Sequence, residues 1–151
     1  MHLPADLPLD LRDIARLLIA YVLALPVGWY REQEAHSVGV RTFPLVAMAS
    51  CGYMLLGAPL LGSDPAAQSR IIQGLVAGMG FIGGGAILKA EGSVHGTATA
   101  ASIWNTGVLG AAVAQERYLL AIMLSILNLV ALRLLLPLKI KLDAKKGRDL
   151  S

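Results

Sequence analysis

Five stretches of the chain are apolar almost without interruption, and short polar segments separate them. They cover about residues 14–30, 43–61, 71–88, 98–114 and 118–138. Each approaches the roughly 20 residues that carry a helix across a hydrocarbon core. Arg16 and Arg133 are the charged residues inside them, and both lie close enough to an end to snorkel. A helix that packs on one side in water keeps a polar stripe. The second, third and fourth stretches have none. The pattern predicts an all-α integral membrane bundle of about five transmembrane helices, with a tail over 1–13 and a second tail over 139–151.

The third stretch is dense in glycine: Gly74, Gly78, Gly80, Gly83, Gly84 and Gly85. In water each glycine disfavours a helix by about 1 kcal/mol relative to alanine. In a bilayer the backbone must bond within the segment, and small residues let helices approach closely. Gly74 with Gly78, and Gly80 with Gly84, have the small-xxx-small spacing. This stretch is therefore expected to be the central packing helix, and Leu at Gly80 or Gly84 is expected to overpack it.

Composition supports this class. Of 151 residues, 56% are hydrophobic, 15% charged and 5% aromatic, against about 25% charged in a soluble domain. Mean hydropathy is +0.63. The net charge of +3 does not point to nucleic acid, because the excess lies largely in the tail and no basic-aromatic interleaving accompanies it. The lone cysteine, Cys51, excludes an intrachain disulfide and reads as a small buried hydrophobe. Asp6, Asp10 and Asp13 beside Arg12 do not make the positive leader of a signal peptide, so the first stretch is read as a mature span.

Lysine and arginine set the expected orientation. Lys139, Lys141, Lys145, Lys146 and Arg148 place the C-terminal tail in the cytoplasm, and five spans then put the N-terminus outside. The loops over 31–42 and 89–97 become cytoplasmic. The loop with Gly62-Ser63-Asp64-Pro65 reads as a turn and helix cap. The turn at about Gln115 to Arg117 is short enough to make its two helices adjacent and antiparallel. No internal repeat of the inverted-transporter kind is visible.

Several polar residues lie at membrane depth: Gln73, Ser102, Asn105, Thr106, Asn128 and Arg133. Such groups find a partner or line a wet cavity. Ser102, Asn105 and Thr106 share one helix face. Two readings stand: hydrogen bonding between helices, or the lining of a site. In the cytoplasmic loops Arg31, Glu32, Arg41 and Glu91 form a candidate partner face or weak metal site. Mg²⁺ needs only one or two carboxylates beside its waters. The simpler reading pairs Glu32, Glu34 and Glu91 with Arg31, Arg41 and Lys89. Thr97 or Thr99 suits the N-cap of the fourth helix. His2, His36 and His95 have no metal-site spacing. No nucleophile elbow, zinc-protease motif or phosphate loop is present, so an enzyme and a bound cofactor are not expected.

The order Gly28-x-x-Arg31-Glu32, Gly39-x-Arg41-Thr42, then Gly78-Met79-Gly80-Phe81-Ile82-Gly83-Gly84-Gly85-Ala86-Ile87-Leu88, then Val94-His95-Gly96-x-x-Thr99-Ala100-Ala101-Ser102-Ile103-Trp104, resembles the MgtC/SapB family of bacterial inner-membrane proteins. The likeness covers about residues 14–135. It implies a five-span helical domain, a link to growth at low Mg²⁺, and action on a membrane partner such as the F-type ATP synthase. Larger members carry a soluble C-terminal domain, and regulation through one is not expected of a sequence that ends at Ser151. The best-known member has Asn where this sequence has Ala98, so functions needing that amide are not expected either.

The leading expectation is a non-enzymatic inner-membrane protein, embedded in the lipid bilayer, that modulates a partner under Mg²⁺ stress. The alternative is a small ion or solute transporter or channel working as a homo-oligomer, with Ser102, Asn105, Thr106 and Asn128 along its path. A third reading is an assembly scaffold.

Overall fold

The structure, a computed structural model, describes residues 9–35, 38–61, 64–90 and 93–148. Five helices dominate: α1 (Leu9–Ala35), α2 (Thr42–Leu61), α3 (Pro65–Gly85), α4 (Thr97–Ala114) and α5 (Tyr118–Arg148). Between α3 and α4 lies a small antiparallel hairpin of β1 (Leu88–Ala90) and β2 (Ser93–His95), with Leu88 opposite His95. The expected all-α bundle is present. The third helix stops three residues before its expected end because the chain turns into this hairpin. The first and last helices run beyond their apolar stretches, to Ala35 and Arg148.

The helix at the centre is α4, not the glycine-rich α3. It touches α1, α2, α3 and α5. Its buried residues include Thr99, Ser102, Ile103, Thr106, Gly107, Leu109, Gly110 and Val113, which form one broad face of the helix. Around it, α1 contributes Ala20, Ala24 and Val27, and α2 contributes Phe43, Val46, Ala47 and Cys51. Both sets recur at helical spacing, so each helix turns one stripe inward. Cys51 is buried, as its apolar neighbours suggest.

The glycines of α3 do not do the expected packing. An added Cβ would meet nothing within 4 Å at Gly74, Gly78, Gly80, Gly84 or Gly85. Gly83 alone among the six packs closely, with a Cβ position 3.3 Å from the Ala100 carbonyl oxygen. The reason is position: α3 lies at the edge of the bundle and buries only Met79 and Gly83. Close approach is instead built on α4. A methyl on Gly110 would collide with the Ala47 carbonyl of α2, and one on Gly107 with the Met79 side chain of α3. Two helices that must nearly touch need glycine at the crossing, whichever of them supplies it.

Local chemistry explains the helix ends. Asp64 caps α3 by accepting from the Ala66 N–H at 2.9 Å, with Pro65 next in the chain. The expected threonine cap of α4 is not found. Gly96 is its N-cap, at φ 85°, with no side-chain cap bond. The left-handed conformation selects glycine there, and a Cβ would strike the Ala86 carbonyl. In the short α4–α5 turn Glu116 also takes a positive φ, 59°. Its carboxylate pairs with Arg16 of α1, which also meets Asp13 at 3.3 Å.

Candidate functional site

The α1–α2 loop is closed by residues that read in the sequence as loop chemistry. Glu32 Oε2 accepts from the Val40 N–H at 3.0 Å. Gly39 lies so close to Glu32 that a Cβ there would overlap its side chain. A Cβ on Gly28 would come within 3.1 Å of the Gly39 carbonyl oxygen. Gly28, Glu32 and Gly39 therefore form one latch, which accounts for the spacing of the first motif. Glu32 stabilises the loop through this bond, and among the described residues no ion pair joins it to an arginine. Arg41 is exposed just ahead of α2. Glu91 and His36 lie outside the described residues, and the exposed His95 ends β2.

Arg31 departs most from expectation. As part of a partner face it would be exposed, yet it is 9% exposed. Position 31 continues the inward stripe of Ala20, Ala24 and Val27 by one further turn, so the side chain enters the bundle. Its Nη2 donates to the Thr99 hydroxyl of α4 at 2.5 Å. Its Nη1 reaches Glu34 Oε2 at 3.5 Å, while Glu34 Oε1 accepts from the Tyr30 hydroxyl at 2.8 Å. Its Nε is buried without a hydrogen-bond partner. Glu34 thus joins Arg31, as the charge-pairing reading had it.

Arg31 lines a cavity of about 480 Å³ between α1, α4 and α5. Glu34, the first turn of α4 from Gly96 to Thr99, Ser102 and Asn128 share the wall. Ala131, Leu132, Leu135 and Leu136 make its apolar side. A buried guanidinium, a carboxylate, hydroxyls and an amide thus stand beside an apolar wall, the make-up of a small-molecule pocket with a few convergent polar groups. A second cavity, about 730 Å³, lies between α2 and α3 and is mainly apolar; Gly74 and Gly78 are in its wall.

Most of the polar residues that the sequence puts at membrane depth tie helices together. Ser102 Oγ donates to Asn128 Oδ1 at 2.9 Å, linking α4 to α5. Asn105 Nδ2 donates to the Leu124 carbonyl at 3.2 Å. Thr106 bonds back to the Ser102 carbonyl at 2.8 Å within α4. Arg133 sits over the Tyr30 ring, 5.3 Å from its centroid, and joins α5 to α1. Gln73 is exposed on α3. Among the described residues no three of His, Cys, Asp and Glu gather as a metal site would require.

Sequence reasoning missed Thr99 as the partner of Arg31, Glu116 as that of Arg16, and Ser125, whose hydroxyl donates to the Leu23 carbonyl at 2.7 Å. A signal for Thr99 was present. It stands three and seven residues before Ser102 and Thr106, on their face of α4.

Over Tyr118–Pro137, α5 is long and apolar enough to cross a membrane, with a mean hydropathy of 2.5. These features define a five-helix bundle with a membrane-type helix and a buried arginine at one end. The chain belongs to the MgtC family, whose match covers residues 17–140. It is 33% identical over 141 residues to the Escherichia coli (strain K12) protein named "Putative magnesium transporter YhiD", covering 87% of this chain and 64% of that protein. It is 38% identical over 110 residues to "Protein SrpB" of Synechococcus elongatus, covering 65% of this chain and 60% of the relative. It is 32% identical over 97 residues to "Protein MgtC" of Salmonella typhimurium (strain LT2), covering 64% of this chain and 41% of that protein. The chain thus spans less than two thirds of the length of these relatives. No solved structure matches it.

Proposed function

We propose that this chain is a five-span inner-membrane protein that supports adaptation to low Mg²⁺ by modulating a membrane partner, without catalysing a reaction. Family membership supports the Mg²⁺ connection. Large apolar side chains exposed around the bundle support the lipid setting: Leu18 and Trp29 on α1, Tyr53 and Leu56 on α2, Phe81 on α3, Leu119 and Leu134 on α5. So much apolar surface is a liability in water and ordinary in lipid.

The observation that carries the modulator reading is the use of the intramembrane polar groups. Ser102, Asn105, Thr106, Asn128 and Ser125 all make hydrogen bonds within or between helices. A path for a hydrated cation needs such groups facing water. The arginine lining the cavity between α1, α4 and α5 also repels Mg²⁺. The partner is a membrane protein; the F-type ATP synthase is the candidate that the family resemblance suggests.

Transport by an oligomer is the second reading, favoured by the name of the Escherichia coli relative. Growth and crosslinking test the proposal together. Deleting the gene should slow growth at limiting Mg²⁺, and a photo-crosslinker at exposed Arg41 should capture a membrane protein. Normal growth at limiting Mg²⁺ and no captured partner would contradict it.

A further inference from the structure

Two features that helix packing does not fully use meet at the cavity beside Arg31. The Arg31 Nε donor is buried without a partner, in a residue 9% exposed. The N-terminus of α4, 18 residues long, opens at the same cavity without a side-chain cap. Its first-turn N–H groups and the positive end of the helix dipole both favour an anion. Ser102 and Asn128 add side-chain polar groups to the wall.

Opposite this polar corner runs the apolar wall of Leu132, Leu135 and Leu136. A ligand that satisfied the whole cavity would have an anionic head and an apolar body. We propose that the cavity binds a phosphate group, held by Arg31 and the first turn of α4, with the acyl portion of a phospholipid along α5 or, in its simplest form, as free phosphate. The apolar wall lies near the Pro137 end of the Tyr118–Pro137 stretch. On the membrane reading above, on which this point of depth rests, that is headgroup level.

Glu34 is the carboxylate on the wall, and it sets the sign of a test. Its bond to Arg31 is long, 3.5 Å, and Tyr30 occupies its other oxygen. Charge-assisted bonds from arginine to phosphate are typically about 2.7–2.9 Å. A phosphate therefore competes with Glu34 for Arg31, and removing the Glu34 charge strengthens binding.

The test titrates the purified full chain in micelles with phosphatidylglycerol, with diacylglycerol of the same acyl chains, and with inorganic phosphate, reading the melting temperature. Phosphatidylglycerol should raise it and diacylglycerol should not. R31Q should weaken the apparent affinity about tenfold or more, as loss of a charged hydrogen bond does, and E34Q should tighten it. Ala131→Trp blocks the cavity without touching Arg31 and should abolish the shift. It and E34Q decide the matter if R31Q does not fold. Competition by inorganic phosphate assigns the site to phosphate alone; none assigns it to the lipid. Equal effects of the two lipids, or wild-type binding by Ala131→Trp, would overturn the proposal. Ion flux through the protein would overturn the modulator reading and leave this binding untouched.

Discussion

Arg31 of α1 and Thr99 of α4 stand 68 residues apart and meet through a buried 2.5 Å hydrogen bond. The bond joins the last inward turn of α1 to the first turn of the central helix. Thr99→Val should therefore leave a buried guanidinium donor unpaired and lower stability by about 1–3 kcal/mol. Thr99→Ser keeps the hydroxyl and should lose much less. Thermal unfolding of both variants in detergent checks the difference.

The glycines of α3 and α4 should behave oppositely. Gly110→Ala drives a methyl into the Ala47 backbone carbonyl, which cannot swing aside. It should destabilise by about 1–3 kcal/mol. Gly84→Ala meets nothing within 4 Å and lies in a helix. It should be neutral or stabilising by up to about 1 kcal/mol. Melting temperatures of the two variants give the comparison.

At the far end of α1 the pair of Arg16 with Glu116 ties that helix to the α4–α5 turn. Arg16 and Arg31 are fifteen residues apart, roughly 22 Å along a helix, so α1 is fixed near both ends. A double-mutant cycle with Arg16→Gln and Glu116→Gln should return a coupling of about 0.5–3 kcal/mol. Additive losses would show that the pair contributes nothing as a pair.

Ser102 and Asn128 offer a milder case. Asn128→Leu removes the acceptor of the Ser102 hydroxyl between α4 and α5. Interhelical bonds of this kind in membranes average about 0.6 kcal/mol and reach about 1.7. A loss of this size, with the helical circular dichroism unchanged, is the expected result.

The five helices were legible because each apolar stretch is long and the breaks between them are polar. Asp64 with Pro65 announced the start of α3 in residue type alone. Centrality was not legible. Glycine density singled out α3, but density does not say which side faces a neighbour, and Gly107 and Gly110 of α4 do the close packing. Arg31 was misplaced for a related reason. Its charge argued for a surface, whereas its register with Ala20, Ala24 and Val27 argued for the interior, and register won because Thr99 supplied a partner. Glu32 reads as a ligand until Gly39 is seen packed against it. Pairings such as Arg16 with Glu116 depend on how distant helices dock, which no local pattern encodes.

The most direct measurement of the central claim is Mg²⁺ entry into proteoliposomes holding a trapped fluorescent indicator, with protein-free vesicles as the baseline. Folded protein should give the baseline rate, because Ser102, Asn105, Ser125 and Asn128 are engaged between helices. Entry above that rate, reduced in Asn105→Leu, would contradict the account and make the protein a transporter.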